Sequence, residues 1–356
     1  MVDYGQLEYL PVSRVSIVVL NWNNWPDTLE CLESLLRLNY QDFRIIICDN
    51  GTTDGSLEHI RAWVEGRLDI LPGDRHGGGT CAPVAKPLHL VEYDRTTAEA
   101  GGGGDAYCQL VMIRNGKNLG FAGGCNVALR FIMVRNDADY VWILNNDTVV
   151  DPEALINLAK RLHERPEIGI CGSTLLNYWK PGQVDALGGA CYSRWLGLAW
   201  HLGRWRCRPE TINLDRLERR MDYVVGSAMF VSMEFLSEVG LMDESYFLYF
   251  EELDWIIRSR GRFPLGYAPD SIVYHKTGGS IGTATHPARK SLVCDYYTMR
   301  NRLKFTFRYY PYALPTIYVG LLAALVVRLL LGEWQRALMV WRLMGDPRRS
   351  IEECSA

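Results

Sequence analysis

Apolar, β-branched runs that each stop at a cluster of Asn, Asp or Gly most constrain what this chain can fold into. Arg14-Val15-Ser16-Ile17-Val18-Val19-Leu20 stops at Asn21-Trp22-Asn23-Asn24, and Phe43-Arg44-Ile45-Ile46-Ile47-Cys48 stops at Asp49-Asn50-Gly51. Tyr140-Val141-Trp142-Ile143-Leu144 stops at Asn145-Asn146-Asp147. Runs without polar alternation are the pattern of strands buried on both faces, as in parallel sheets. Helical spacing intervenes: Pro26 suits a first turn, Leu29, Leu32 and Leu36 follow on one face, and Asn126 to Val134 also reads as helix. Strands alternating with helices predict an α/β fold with a mainly parallel central sheet, whose ligands gather at the carboxyl ends of the strands. Every polar turn named lies at such an end.

Leu110-Val111-Met112-Ile113 predicts a further strand, and Asp151-Pro152 starts a helix with Leu155, Leu158 and Leu162 on one face. Residues 72–105 carry two glycine clusters and little apolar periodicity, and are expected to form a surface insertion. Cys171 to Asp222 reads as less regular. Tyr223 to Val231 reads as a core strand with Gly226 at a close approach, and Phe247 to Arg258 as a loop entering a helix. Trp179, Trp195, Trp200 and Trp205 suit an acceptor platform or packing, with packing the favoured expectation.

A formal net charge of -3 with scattered Lys and Arg excludes the footprint of a nucleic-acid-binding protein. The ten cysteines contain no C-x-x-C pair, which argues for buried thiols in a reducing compartment. Met1 to Leu10 carries acids and lacks the basic start and apolar core of an export signal, so a cytoplasmic location is expected. Tyr309 to Val327 is largely apolar, interrupted by Pro311 and Pro315 and ended by Arg328. Its length is close to the roughly 20 residues of a membrane span, yet the prolines suit an interfacial hairpin or a helix packed on the domain. Association with a membrane surface without crossing is the expectation.

A carboxylate at a strand end, such as Asp147, is a hard oxygen ligand of the kind Mg²⁺ or Mn²⁺ accepts. The alternative is a plain turn followed by a capped helix. The stretches VSIVVLNWNN (15–24), IIICDNGTTDGS (45–56), NLGFAGGCN (118–126), LNNDT (144–148) and YFLYFEELDWIIR (246–258) together resemble glycosyltransferase family 2, most closely its rhamnosyltransferase-like branch. The resemblance runs from about Arg14 to Phe307, omitting the glycine-rich insertion.

That resemblance implies a GT-A fold over residues 14–290, with residues 1–13 as an extension and 291–356 as a C-terminal helical region on the membrane. It also implies a nucleotide-diphosphate sugar donor, a divalent cation (Mn or Mg), inversion at the anomeric carbon, and a glycan or lipid-linked acceptor. Asn21 and Asp49 fall where the family contacts the nucleotide, and Asn118, Gly120 and Gly124 match the loop that lets backbone approach it. Asn145-Asn146-Asp147 matches the Asp-x-Asp motif, with Asn145 replacing the first carboxylate, Asp147 at the metal end, and Asn145 and Asn146 toward ribose or phosphate. His275 stands where relatives supply a further metal ligand, and Glu252 where they have the base that deprotonates the acceptor. Gly226 and Ser227 would border the sugar pocket. Lys276 opens a small-residue stretch, Thr277 to Thr283, expected to close over the donor or serve as a linker. Asp254 and Arg258, four apart, read as an intrahelical ion pair. Two other classes stay open: a sugar nucleotidyltransferase, and a non-catalytic nucleotide- or glycan-binding subunit.

Overall fold

The computed structural model describes residues 13–70, 82–103, 108–209, 211–276, 291–348 and 351. Nearly all of the expected N-terminal extension, and the Thr277–Thr283 stretch, lie outside the described residues. In chain order the strands are β1 (Val15–Asn21), β2 (Phe43–Asp49), β3 (Leu90–Asp94), β4 (Leu110–Arg114), β5 (Tyr140–Asn145), β6 (Thr148–Val150), β7 (Ile170–Asn177), β8 (Lys180–Leu187), β9 (Gly189–Ser193), β10 (Leu198–His201), β11 (Tyr223–Val224), β12 (Ala228–Ser232) and β13 (Leu265–His275). The helices are α1 (Trp25–Leu35), α2 (Ser56–Val64), α3 (Arg95–Glu99), α4 (Gly120–Arg135), α5 (Ala154–Glu164), α6 (Leu214–Glu218), α7 (Met233–Val239), α8 (Glu251–Arg258), α9 (Leu292–Tyr309), α10 (Leu314–Leu330) and α11 (Trp334–Gly345).

The main sheet runs β3-β4-β2-β1-β5-β12-β7-β13-β6, with β8 pairing β7 off this path, and β10-β9-β11 form a small second sheet. Pairing is parallel from β3 through β5, and β12 runs antiparallel between β5 and β7. Alternate residues face opposite layers, as the two-residue strand period requires. Ile17, Ile45 and Trp142 pack with Leu29, Leu32, Ile60 and Trp63 on one side. Val18, Ile46 and Ile143 pack with Leu129, Phe131 and Ile132 of α4 on the other. Parallel register sets Asn21 opposite Asp49 and Leu20 opposite Asn145, which brings the polar strand ends to one edge.

Three expectations are corrected. The region 72–105 is not all insertion: Leu90–Asp94 is the edge strand of the main sheet and Arg95–Glu99 a helix capped by Asp94. An edge strand needs little apolar character, and Tyr93 is the only residue of β3 that is fully buried. The stretch from Cys171 to Asp222 holds four strands that include two hairpins, β7–β8 and β9–β10, in which register shifts and an exposed edge blur the alternation. Trp179, Trp195, Trp200 and Trp205 are not packed in the core; each is about half exposed.

The C-terminal helices bury their own seam of Tyr296, Leu303, Ile317, Leu321, Leu325, Met339, Val340 and Leu343. Pro311–Leu330 is long and apolar enough to cross a membrane by length and composition. Much of its apolar surface is uncovered: Val319 is 68% exposed and Leu330 82%, and on α11 Trp334 and Trp341 are 69% and 62% exposed. Within the seam Arg328 Nη2 donates to both oxygens of Asp295 at 2.7 and 2.8 Å, and Arg336 reaches the same carboxylate at 3.3 Å. Asp295→Ala would leave two cations against apolar surface. The expected loss is about 3–5 kcal/mol of stability, measured by urea unfolding of purified protein.

Candidate active site

A polar floor forms where β1, β2 and β5 end. Thr28 Oγ1 donates to Asn21 Oδ1 at 2.7 Å, and Asn21 Nδ2 donates to Asp49 Oδ1 at 3.3 Å. Thr52 Oγ1 donates to the same Asp49 oxygen at 2.6 Å. Burial raises the Asp49 carboxyl despite these donors. Asn146 Nδ2 donates to Thr28 Oγ1 and the Asn23 carbonyl at 2.9 and 3.2 Å. Thus Asn21, Asp49 and Asn146 form one connected network. Asn145 joins the neighbouring strand instead, its N–H donating to the Ser227 carbonyl at 3.1 Å.

Asp147 is buried, and its Oδ1 accepts no hydrogen bond. His275 Nε2 lies 3.5 Å away, beyond good hydrogen-bond range. β13 brings His275 there by pairing it with Thr148. On its other side His275 Nδ1 meets Asp185 Oδ2 at 3.0 Å. A histidine held by a carboxylate on one nitrogen presents the other for a metal. Burial is the largest single influence on Asp147 and raises its pKa, but His275, the Asp147 N–H and Lys276 together hold the group below its usual range. Burial likewise disfavours charge on His275, yet Asp147 and Asp185 push its pKa up to about 10.

Asp185 continues the chain of charges. Its Oδ1 lies 3.7 Å from His201 Nδ1. Backbone brings Glu252 toward the Asn145–Asp147 turn, because Gly226 adjoins the Ser227 that holds Asn145. A β-carbon at Gly226 would sit 2.2 Å from Glu252 Oε1, so only glycine leaves that carboxylate in place. Asp147 is thus linked through His275 to Asp185, and Glu252 is brought to the Asn145–Asp147 turn through Gly226 and Ser227. Burial raises the Glu252 pKa, opposed by its own N–H, the Gly226 N–H and His201. Glu251 beside it is buried, raised further by burial and by Glu252, with Oε2 unpartnered. Both carboxyls are thus held above the ordinary carboxylate range, Glu251 the more strongly.

The loop before α8 is strained. Phe247, Tyr249 and Phe250 have φ of 65°, 68° and 76°, and the Leu248 N–H closes a γ-turn onto the Tyr246 carbonyl at 2.8 Å. Such residues cost about 1–3 kcal/mol each and persist where surroundings hold them. Asn301 of α9 does this, its Nδ2 lying 2.8, 2.8 and 3.0 Å from the carbonyls of Tyr246, Leu248 and Tyr249. Asn301→Ala should let the loop relax and displace Glu252. A loss of about 10²-fold in kcat is expected with little change in the donor KM, read by steady-state kinetics on protein of unchanged circular dichroism.

Asn118 Oδ1 accepts from the Gly120 N–H at 2.9 Å and orders the start of α4. The close approaches of Gly120 and Gly124 are to protein rather than to an open cleft. A side chain at Gly120 (φ 75°) would strike the Phe247 carbonyl at 2.2 Å, and one at Gly124 would strike Leu20 at 2.5 Å. Lys276 is not free for phosphate either, being paired with Asp27 and Glu30. Asp254 and Arg258 do form the intrahelical pair, at 2.7 Å.

Asp185, His201 and Asn301 escaped the sequence reading. A lone acid inside the apolar run Val184-Asp185-Ala186-Leu187 was a usable signal for the first; the other two carry none.

A family model described as Glycosyl transferase family 2 matches residues 16–80 and 94–240. This chain belongs to glycosyltransferase family 2. Its α/β architecture, with a mostly parallel sheet, is of the GT-A type. The chain is 25% identical over 149 residues to the low-salt glycan biosynthesis hexosyltransferase Agl10 of Haloferax volcanii, 42% of this chain and 45% of that protein. It is 24% identical over 273 residues to the N-acetylglucosaminyl-diphospho-decaprenol L-rhamnosyltransferase of Mycobacterium tuberculosis, 75% of this chain and 77% of that one. The match thus spans less than half of the archaeal relative and about three quarters of the mycobacterial one. Among solved structures it is similar to the mannosyltransferase PcManGT from Pyrobaculum calidifontis in complex with GDP-Man and Mn²⁺. That likeness has a TM-score of 0.49 and 14% identity, covering 88% of this chain and 75% of the other.

Proposed function

We propose that this protein is an inverting glycosyltransferase moving a sugar from a nucleotide-diphosphate donor to a hydroxyl of a glycan or lipid-linked acceptor. The observation that carries this reading is that Glu252 packs on Gly226, whose neighbour Ser227 accepts the Asn145 N–H two residues before Asp147. One available carboxylate suits single displacement: Glu252 accepts the acceptor's proton while the hydroxyl oxygen attacks the anomeric carbon from the face opposite the diphosphate.

The bare Asp147 oxygen and the aligned His275 fit a divalent cation. Asp147 and His275 would hold it, with water and the donor diphosphate completing a set that the described residues do not close alone. Bound there, it supplies Lewis-acid neutralisation of the departing diphosphate. Rhamnose is the favoured donor sugar, supported by the name of the mycobacterial relative. The uncovered apolar faces of α10 and α11 support a peripheral position on the inner face of the cell membrane.

The test is nucleoside diphosphate release by purified protein from a panel of nucleotide sugars, dTDP-rhamnose included, with and without Mn²⁺. Cation-dependent release from one donor is expected. No release from any donor, with folded protein and Mn²⁺ present, would overturn the proposal.

A further inference from the structure

Arg302 of α9 is only 8% exposed, and its Nε has no hydrogen-bond partner. No described carboxylate stands within ion-pair distance of it. Asp295, whose charge it feels, is already taken by Arg328 and Arg336. Two further polar atoms lie orphaned beside it. Tyr192 Oη of β9 and Thr306 Oγ1, one turn further along α9, are buried and make no hydrogen bond of good geometry. Burial pushes the Tyr192 hydroxyl up to about 12, opposed by the adjacent Thr306 hydroxyl and the Arg302 charge, which places the three groups together. Each of them can donate a hydrogen bond. A buried cation left unpaired is costly, and three donors without an acceptor point to an anion as the missing partner.

The surroundings indicate what carries that anion. The turn of the β9–β10 hairpin lies against the Arg302 stem: a β-carbon at Gly197 (φ 61°) would sit 2.6 Å from Arg302 Cγ and 2.9 Å from Ile317 Cδ1 of α10. Thr316 Oγ1 of α10 donates to the Trp195 carbonyl in the same turn, and the Trp195 and Tyr312 rings lie 5.2 Å apart. Trp195, Leu196 and Tyr312 are about half exposed, beside the uncovered face of α10. Arg194 adds an exposed cation to this turn, 5.7 Å from the Tyr310 ring. A buried anion site rimmed by exposed apolar and indole groups suits a ligand that carries its negative charge on an apolar tail.

We propose that Arg302, Tyr192 and Thr306 hold the phosphate of an anionic membrane phospholipid, whose acyl chains lie along the exposed faces of the hairpin and α10. Guanidinium forks match phosphate oxygens in geometry as well as charge, and basic pockets between helices are a recurrent way to bind lipid head groups. The lipid acts as an anchor and undergoes no reaction. Its membrane source rests on the peripheral position proposed above; sugar transfer is not involved.

The experiment is titration calorimetry on the full chain with dihexanoyl phosphatidylglycerol below its micelle concentration, and with glycerol 3-phosphate and dihexanoylglycerol as its head and its tails alone. The whole lipid should bind at least about tenfold more tightly than either part. Two variants test the contacts. Arg302→Met keeps the aliphatic stem that meets Gly197 and Ile317, and Tyr192→Phe/Thr306→Val removes only the two hydroxyls. The first should weaken binding at least about tenfold and the second about threefold, as loss of a charged and of neutral hydrogen-bond donors predicts. Arg348→Gln, which removes an exposed cation at the end of the same helical region, should leave binding unchanged. Without lipid, Arg302→Met should resist urea at least as well as the wild type, because it removes an unpaired buried charge. A large fall in that resistance would make Arg302 a structural residue and overturn the proposal. Binding indifferent to both variants, equal binding of glycerol 3-phosphate, or tighter Arg302-dependent binding of farnesyl diphosphate would also overturn it. Donor turnover measured on the same samples tests the glycosyltransferase reading separately, and its absence beside Arg302-dependent lipid binding would leave the lipid site standing.

Discussion

Glu252→Gln is expected to reduce kcat by about 10²–10⁴, the range for losing a positioned general base, while donor binding persists. The amide keeps the shape that fits against Gly226 but cannot take a proton. The wild-type pH profile should report the same group. Burial places the Glu252 pKa above the ordinary 4.5, so the rate should rise with pH through a midpoint above that value and fall below it. Any residual rate of the Gln variant should lack this limb. A Gln variant with the wild-type rate and the same acid limb would remove Glu252 from the mechanism. Stability moves oppositely to rate. Glu251 and Glu252 have folded-state pKa values raised above the unfolded value. Between the two values the fold holds protons that the open chain has released, so stability declines as pH rises through that window. The site trades stability for an active base.

Asp147→Ala should abolish Mn²⁺ binding, read by electron paramagnetic resonance of the free ion, and lower turnover by at least about 10²-fold, since charge neutralisation by such an ion is worth several kcal/mol. Its basis is the unpartnered oxygen facing His275. A proton on His275 and a cation compete for the same Nε2. With His275 pushed up to about 10 by Asp147 and Asp185, Mn²⁺ affinity should increase with pH across neutrality as that proton is displaced. Unchanged Mn²⁺ binding in the Ala variant would move the ion elsewhere. Asp185→Asn should weaken Mn²⁺ binding less than loss of Asp147 does, because it orients His275 and contributes no ligand of its own.

Strand ends were legible because their signal is local. Val15 to Leu20 and Ile45 to Cys48 read as buried on both faces, with Asn21 and Asp49 as the last residues of those strands and Asp147 in the turn after β5. Glu251 and Glu252 were equally visible as acids at a helix start, though not the upward pull on their carboxyls. That pull comes from burial under residues distant in the chain. Gly120 looked like an opening for a ligand and proved to be an opening for the Phe247 carbonyl. Lys276 looked available and is spent on Asp27 and Glu30. A single side chain reveals its chemical capacity but not its partner.

By itself the sequence determined the alternation of buried strands and helices, the edge at which polar groups collect, and the residue types able to hold a cation or take a proton, since each follows from contacts within a few residues. Only the tertiary structure decided that Asp185 backs His275 beside Asp147, that Gly226 seats Glu252, and that Asn301 secures the strained loop from α9. Asp185 and His275 are 90 positions apart and Asn301 lies 52 to 55 from the carbonyls it holds; such closure depends on the packed sheet as a whole and leaves no periodic trace along the chain.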